Sequence, residues 1–340
     1  MTSFRLKPRG ARQFTMMMGL LVGSVSLSAC FNNDVEPTLA PPPGADLVTF
    51  TKENLYPEGI DYDTNGRRFL VSSLTTGIIS QVADDGSYAP FVTDASLVSS
   101  VGLHIDAERN RLLVAVSDPG YNKDKTTAAT KGKLAALASY DGFGKRVGYV
   151  DLGSLRPALS HFANDMAVDQ AGNVYVTDSF APIIYKVDVA GVASVFLEDA
   201  RLGAPAGQFG LNGIEVHPDG YLLVAKTDDG SLFKVPLSNP TAFTKVGSSQ
   251  DLKGIDGLTL IEAGRLYASC NSQSKVYNLT TANGWGDVTV AGTFATLPEY
   301  PTTLARRSAT ETYVLYSRIN ELQTPATPAA TKFNIAKLKF

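Results

Sequence analysis

Asn164-Asp165-Met166-Ala167-Val168-Asp169, Gln170-Ala171-Gly172-Asn173 and Val174-Tyr175-Val176-Thr177-Asp178-Ser179 follow one another without a break. Met166 and Val168 alternate with small or polar neighbours, Gly172 marks a turn, and a β-branched and aromatic run follows. This is the pattern of two short strands joined by a tight connection. It returns at Glu58 (EGIDYD, then NGRRFLVSS), Val101 (VGLHID, then RNRLLVAVSD), Asn212 (NGIEVH, then PDGYLLVAKTD) and Asp256 (DGLTLI, then EAGRLYAS), with a degenerate copy at Thr302 (TTLARR, then ETYVLYS).

The units begin at 58, 101, 164, 212, 256 and 302, in steps of 43, 63, 48, 44 and 46 residues. That is the period of a propeller blade. Further alternating segments follow each hairpin: Gly77 to Val82, Ile183 to Val187, Ser231 to Val235 and Lys275 to Leu279, then Ala193 to Phe196 and Val288 to Phe294. Four antiparallel strands per unit make a blade, and six blades that close radially leave few exposed edges. The expected fold is an all-β, six-bladed β-propeller over residues 46–340. Leu47 to Thr51 and Lys332 to Leu338 alternate outside the six units and are the candidates to close the ring in one blade. The long second step is filled by Asp118 to Lys133, a polar, Lys-rich insertion that is either a lid over the channel mouth or a solvated excursion.

Residues 1–29 read as an export signal: Arg5, Lys7, Arg9 and Arg12 without an acidic residue, then a short apolar core too broken by Gly and Ser to span a bilayer. The segment ends in Leu27-Ser28-Ala29-Cys30. This resembles the lipobox of bacterial lipoproteins, which implies lipidation of Cys30 and anchoring of an exported protein at a bacterial, outer, membrane. Phe31 does not match the inner-membrane retention pattern. An ordinary secretory peptide is the alternative. The polar, Pro-rich residues 30–45 are expected to be an extended tether in which nothing folds. Loss of the signal removes four positive charges and shifts the net charge from −3 to −7. With no Lys/Arg run, nucleic acid is a poor partner, and a monomer acting on a small molecule is expected. If Cys30 carries lipid, Cys270 has no partner and is a buried small residue.

The residue opening each innermost strand should face one point on the channel axis: Glu58, Val101, Asn164, Asn212, Asp256 and Thr302. The Gly that follows four of them (Gly59, Gly102, Gly213, Gly257) suits crowded backbone there. Four of the six carry carboxylate or amide oxygen, and no nitrogen or sulfur ligand is among them. Hard oxygens in irregular geometry favour Ca²⁺, although another divalent cation fits the same set.

These motifs, Glu-Gly in blade 1, Asn-Asp in blade 3, Asn-Gly with Pro-Asp-Gly in blade 4 and Asp-Gly-Leu in blade 5, form an ordered set. It resembles the calcium-dependent propellers of the gluconolactonase, senescence-marker-protein and luciferin-regenerating-enzyme group, with diisopropyl fluorophosphatase and paraoxonase as relatives. The resemblance spans about residues 46–320. It implies a metal on Glu58, Asn164, Asn212 and Asp256, with Asp256 also serving as base or nucleophile. Asp165, beside a ligand, would support the site from behind. Val101 stands where paraoxonases carry a catalytic His, so that mechanism does not transfer.

Of the three histidines, His161 could reach the mouth as a catalytic group, whereas His104 and His217 read as structural. There is no HExxH, CxxC, GxSxG or phosphate-cradling loop. The expectation is a calcium-dependent lactonase or esterase. The alternative is a non-catalytic propeller that binds a ligand or a protein around a structural metal.

Overall fold

A computed structural model describes residues 43–324 and 329–340. The signal, Cys30 and most of the tether lie outside the described residues. In the third repeat, Asp169 builds the turn: its carboxylate accepts from Asn173 N and its carbonyl from Gly172 N, with Gly172 at φ 94°. Positive φ costs glycine nothing, which is why the hairpin turns there. Ala163–Val168 then pairs antiparallel with Val174–Asp178, which pairs in turn with Ile183–Val187 and Ala193–Glu198.

The other units repeat this order. Blade 1 runs Ile60–Asp63, Arg68–Val71, Ile79–Val82, Tyr88–Val92, and blade 2 runs Ser99–Asp106, Arg111–Ser117, Ala135–Asp141, Arg146–Asp151. Blade 4 runs Leu211–His217, Tyr221–Lys226, Ser231–Pro236, Thr244–Lys245. Blade 5 contains Ile255–Glu262, Arg265–Cys270, Lys275–Thr280 and Asp287–Ala295, and departs from the four-stranded expectation by adding Gly247–Ser248 as a parallel edge. Each innermost strand neighbours the innermost strand of the next blade, and Pro301–Arg306 of blade 6 returns to Ile60–Asp63. The fold is a six-bladed β-propeller.

Both termini close the ring in blade 6, where Leu47–Thr51 pairs in full register with Lys332–Lys337 outside Thr312–Tyr316. The end of the tether is not free. Gly44 N donates to Glu311 Oε1, the Lys337 ammonium reaches Gly44 O, and Tyr313 Oη donates to Ala45 O. Gly44 and Ala45 therefore belong to the domain, because the closing blade leaves buried acceptors and donors that this backbone satisfies.

Packing follows from alternation in sheets buried on both faces. Among the described residues each gap between neighbouring blades has its own apolar cluster, such as Leu70 and Ile79 against Leu112 and Val114 between blades 1 and 2. Another is Leu223 and Ala225 against Leu258 and Leu266 between blades 4 and 5. Cys270 is buried in the latter cluster as a free thiol.

Candidate metal centre

In five blades the ladder between the first and second strands skips two residues: Val101-Gly102, Asn164-Asp165, Asn212-Gly213, Asp256-Gly257 and Thr302-Thr303. Such a bulge re-aims a side chain out of the pleat, and here it falls each time on the residue that opens the repeat. The following glycines have no room for a side chain. A Cβ on Gly59 would meet Val101 O at 2.3 Å, one on Gly102 Asn164 O at 2.4 Å, and one on Gly213 Asp256 O at 2.3 Å. The bulged backbones are thus stacked shoulder to shoulder around the axis.

Glu58, Asn164, Asn212 and Asp256 are all buried and line one cavity. A second row of side chains, at the end of the second strand, decides how they point. Ser179 spends its hydroxyl proton on Leu211 O at 2.5 Å, so it can only accept from Asn164 Nδ2 at 2.8 Å. Thr227 likewise donates to Ile255 O at 2.8 Å and accepts from Asn212 Nδ2 at 3.1 Å. A hydroxyl has one proton to give; each amide must therefore present NH₂ to it and turn its oxygen inward. Asn271 Nδ2 holds Asp256 Oδ2 at 2.9 Å, and Ser72 Oγ accepts from Glu58 N and Gly59 N.

Three oxygens remain: Glu58 Oε2, Asn164 Oδ1 and Asp256 Oδ1 are buried without a hydrogen-bond partner. Orphaned buried oxygens are rare and costly. Burial pushes the Glu58 carboxyl well above its usual range, and the Asp256 and Asp165 charges push it further. Burial also drives Asp256 up to about 7 against the amides of Asn271 and Asn212. Such a set is relieved by a cation, and its donors are all hard oxygen. Only two of the four candidate side chains are carboxylates, and no cluster of three His, Cys, Asp or Glu suited to a metal occurs among the described residues.

His161 is not at this cavity. Its Nδ1 donates to Asp178 Oδ2 at 2.8 Å and its Nε2 to Arg156 O at 2.9 Å, with Tyr185 Oη bonded to the same carboxylate. Burial presses its pKa down, but the Asp178 hydrogen bond and charge outweigh that and leave it raised. Both ring nitrogens are taken up inside the blade and the ring does not line the cavity, so the expected catalytic placement is corrected to a structural one. Asp165 faces away as well: its Oδ1 accepts from Met166 N at 2.9 Å, and the side chain lines the channel on the other side of the bulge. Its influence on Glu58 is electrostatic: its charge raises the Glu58 carboxyl, while its own burial, with the Asp256 charge, lifts Asp165 to about 7. His104 lines the same stretch of channel, and His217 is buried, donating to Ala263 O.

Part of the insertion reaches the cavity. Asp118 accepts from Gly120 N, Thr126 Oγ1 and Thr130 Oγ1, and Asn122 Nδ2 donates to Val98 O, a fixed loop that brings Pro119 and Tyr121 to the cavity. Sequence reasoning missed the orienting row, although its signal was present. Fifteen residues after each opening residue in blades 3 to 6 stand Ser179, Thr227, Asn271 and Ser317.

No protein-family model matches the chain, and no curated protein does. Solved structures do. The Malassezia sympodialis major allergen Mala s 1 is 18% identical with a TM-score of 0.68, covering 87% of this chain and 96% of its own. A calcium-binding regucalcin from Agrobacterium tumefaciens is 16% identical with a TM-score of 0.58, covering 85% and 92%. A gluconolactonase from Xanthomonas campestris is 14% identical with a TM-score of 0.58, covering 86% and 89%. This chain has their fold. The neighbours include the gluconolactonase and regucalcin group that the ordered motifs resemble, and at these identities the likeness carries the architecture alone.

Proposed function

We propose that the protein is a calcium-dependent hydrolase of a lactone or related ester, acting at the mouth formed by Glu58, Asn164, Asn212 and Asp256. The observation that carries this is the set of orphaned oxygens, Glu58 Oε2, Asn164 Oδ1 and Asp256 Oδ1, at one cavity. The names of the neighbours, a gluconolactonase and a calcium-binding regucalcin, support it. Bound by these four residues, a divalent cation supplies a Lewis acid for a carbonyl oxygen.

The chain's own groups do the rest. Asn271 fixes Asp256 by Oδ2, which leaves Oδ1 directed at the cavity, where one lone pair would face the cation and the other would take a proton as the base. A water proton passes to Asp256 Oδ1 as the water oxygen bonds to the carbonyl carbon. The carbon–oxygen bond of the ester then breaks, and the proton passes from Asp256 to the leaving oxygen, giving a hydroxy acid. The Tyr300 phenol, kept neutral by burial and by the Asp256 and Glu58 charges, lines the same cavity as a donor. The second reading, a non-catalytic binding propeller, has in its favour that a cation here ties four blades together whatever the cavity holds.

Asp256→Asn separates the two. It keeps an oxygen of the same shape and removes the base, so turnover should fall by about 10²- to 10⁴-fold at saturating calcium. The test is a panel of lactones, esters and phosphotriesters. If the calcium-loaded wild type turns over none of them faster than the variant, the hydrolase is wrong and the binding propeller stands.

A further inference from the structure

The walls of the cavity tell what kind of molecule it takes. Above the four ligands the lining is apolar: Leu74 from blade 1, Pro119 from the insertion, Phe162 and Phe209 beside blades 3 and 4, and Ile319 before the short helix Asn320–Gln323. Phe162 and Phe209 pack edge to face at 5.2 Å, and Phe180 joins both at 5.3 and 5.2 Å. Phe209 and Phe180 then line a cleft that continues outward from the same mouth past Pro119 and Tyr121.

The polar groups beside this path are already engaged. Thr227 and Asn271 are committed to Asn212 and Asp256, Asp228 is ion-paired with Lys226 and bonded to it through Oδ2 while its Oδ1 has no hydrogen-bond partner, and Ser272 is committed to the Lys253 carbonyl. What remains is the Tyr121 and Tyr300 hydroxyls near the ligands and the exposed side chains of Gln208 and Lys253 along the outer cleft.

We propose that the ligand of this site is an ester or lactone bearing a hydrocarbon chain or ring, which lies along the Phe162–Phe209–Phe180 wall, and not a polyhydroxylated sugar lactone. This rests on the reading of the mouth as the reactive end. A sugar lactone carries a hydroxyl on nearly every carbon, and a hydroxyl buried without a partner costs more than its carbon gains. A hydrocarbon needs no partners, and an apolar, aromatic lining with a few placed polar groups is the usual character of a pocket that takes one.

Non-hydrolysable γ-lactams test it, because binding is then read apart from turnover. Calcium-saturated wild-type protein is titrated by calorimetry with lactams carrying chains of one, five and nine carbons and with a polyhydroxylated lactam. Affinity should tighten by about three- to fourfold per methylene until the wall is covered. The polyhydroxylated lactam should bind no better than the one-carbon member. Phe209→Ser should flatten the series. If that variant does not fold, Ile319→Thr serves for the same measurement. Affinity independent of chain length, or tighter binding of the polyol, overturns the proposal. A steep series without hydrolysis of any matching lactone would leave the apolar ligand standing and remove only the hydrolase.

Discussion

The central channel carries two acidic rings that look alike in composition and differ in how their oxygens are used. At the mouth, Glu58, Asn164 and Asp256 keep buried oxygens without partners. Farther along the same strands stand Asp61 and Glu215, each three residues after a mouth residue, together with Asp165. There the oxygens are employed. Asp61 accepts from Tyr62 N and from Ile105 N of blade 2 at 2.8 Å, and Glu215 accepts from Leu260 N of blade 5 at 3.1 Å. Arg306 of blade 6 donates back to Leu260 O and Ile261 O of blade 5. These acids brace one blade against the next by capping inner-strand N–H groups that have no ladder partner. Carboxylates alone do not mark a cation site, nor does a single unpartnered oxygen such as Asp228 Oδ1; three unpartnered oxygens converging on one cavity do.

The largest difference between the rings should appear on removing calcium. A ligand bound to the folded state alone stabilises it by RT ln(1 + [L]/Kd), about 3 to 4 kcal/mol at a hundred to a thousand times Kd. Thermal unfolding with and without chelator should show a loss of that size in the wild type. Glu58→Gln should lack the response, and Asp61→Asn should keep it whatever its own stability. The reverse pattern would place the cation at the bracing ring.

A smaller effect probes the layer between the rings. Gly59 separates Glu58 from Asp61, and an added Cβ would sit 2.3 Å from Val101 O, which is backbone and cannot swing aside. Gly59→Ala should cost about 2 to 3 kcal/mol, the upper part of the range for overpacking. It should also weaken calcium binding in calorimetry, because Glu58 must move with its neighbour. Unchanged stability in denaturant would mean that blades 1 and 2 part easily and that the bulged backbones are not stacked as described.

The propeller was legible because the blades repeat one local pattern, apolar alternation around a tight turn, with Gly in the turn in four of them (1, 3, 4 and 5) and a polar residue at the strand entrance in all but the second. Glu58, Asn164, Asn212 and Asp256 were found by position in that repeat, which sixfold closure turns into proximity. The bulges were not visible, since a skipped pair leaves the residue types of a strand unchanged. Gly44 and Ala45 were misread because a Pro-rich run carries no sign of the Glu311 and Lys337 groups that hold its end, some 270 residues away along the chain. The apolar wall was hidden for a related reason. Pro119, Phe209, Tyr300 and Ile319 come from loops that follow no repeat, and only the closed ring brings them to one mouth. His161 was close in sequence to Asn164, yet it lies before the strand and points into the blade.

The smallest effect concerns the bracing ring alone and is read from pH. Burial raises the Glu215 carboxyl from its usual 4.5 to about 8; the Leu260 N–H pulls it down, the Asp165 and Asp61 charges raise it, and Arg306 lowers it. The folded protein therefore holds a proton at Glu215 that the unfolded chain has released between pH 4.5 and about 8. Stability from this group is fully present below the lower value and is lost as pH rises through the upper one, at no more than about 1.4 kcal/mol per pH unit. Gln cannot titrate but still offers Leu260 N an acceptor. Glu215→Gln, measured calcium-free by denaturant unfolding, should lose about 1 kcal/mol less than the wild type between pH 6 and pH 7. Some slope should remain, because Asp165, raised to about 7 by its burial, faces the same space with Asp61 and His104. A variant destabilised equally at pH 5 and pH 8 would show that Glu215 braces the ring as a carboxylate. The two rings would then differ only in where their oxygens point, and not in whether they carry charge.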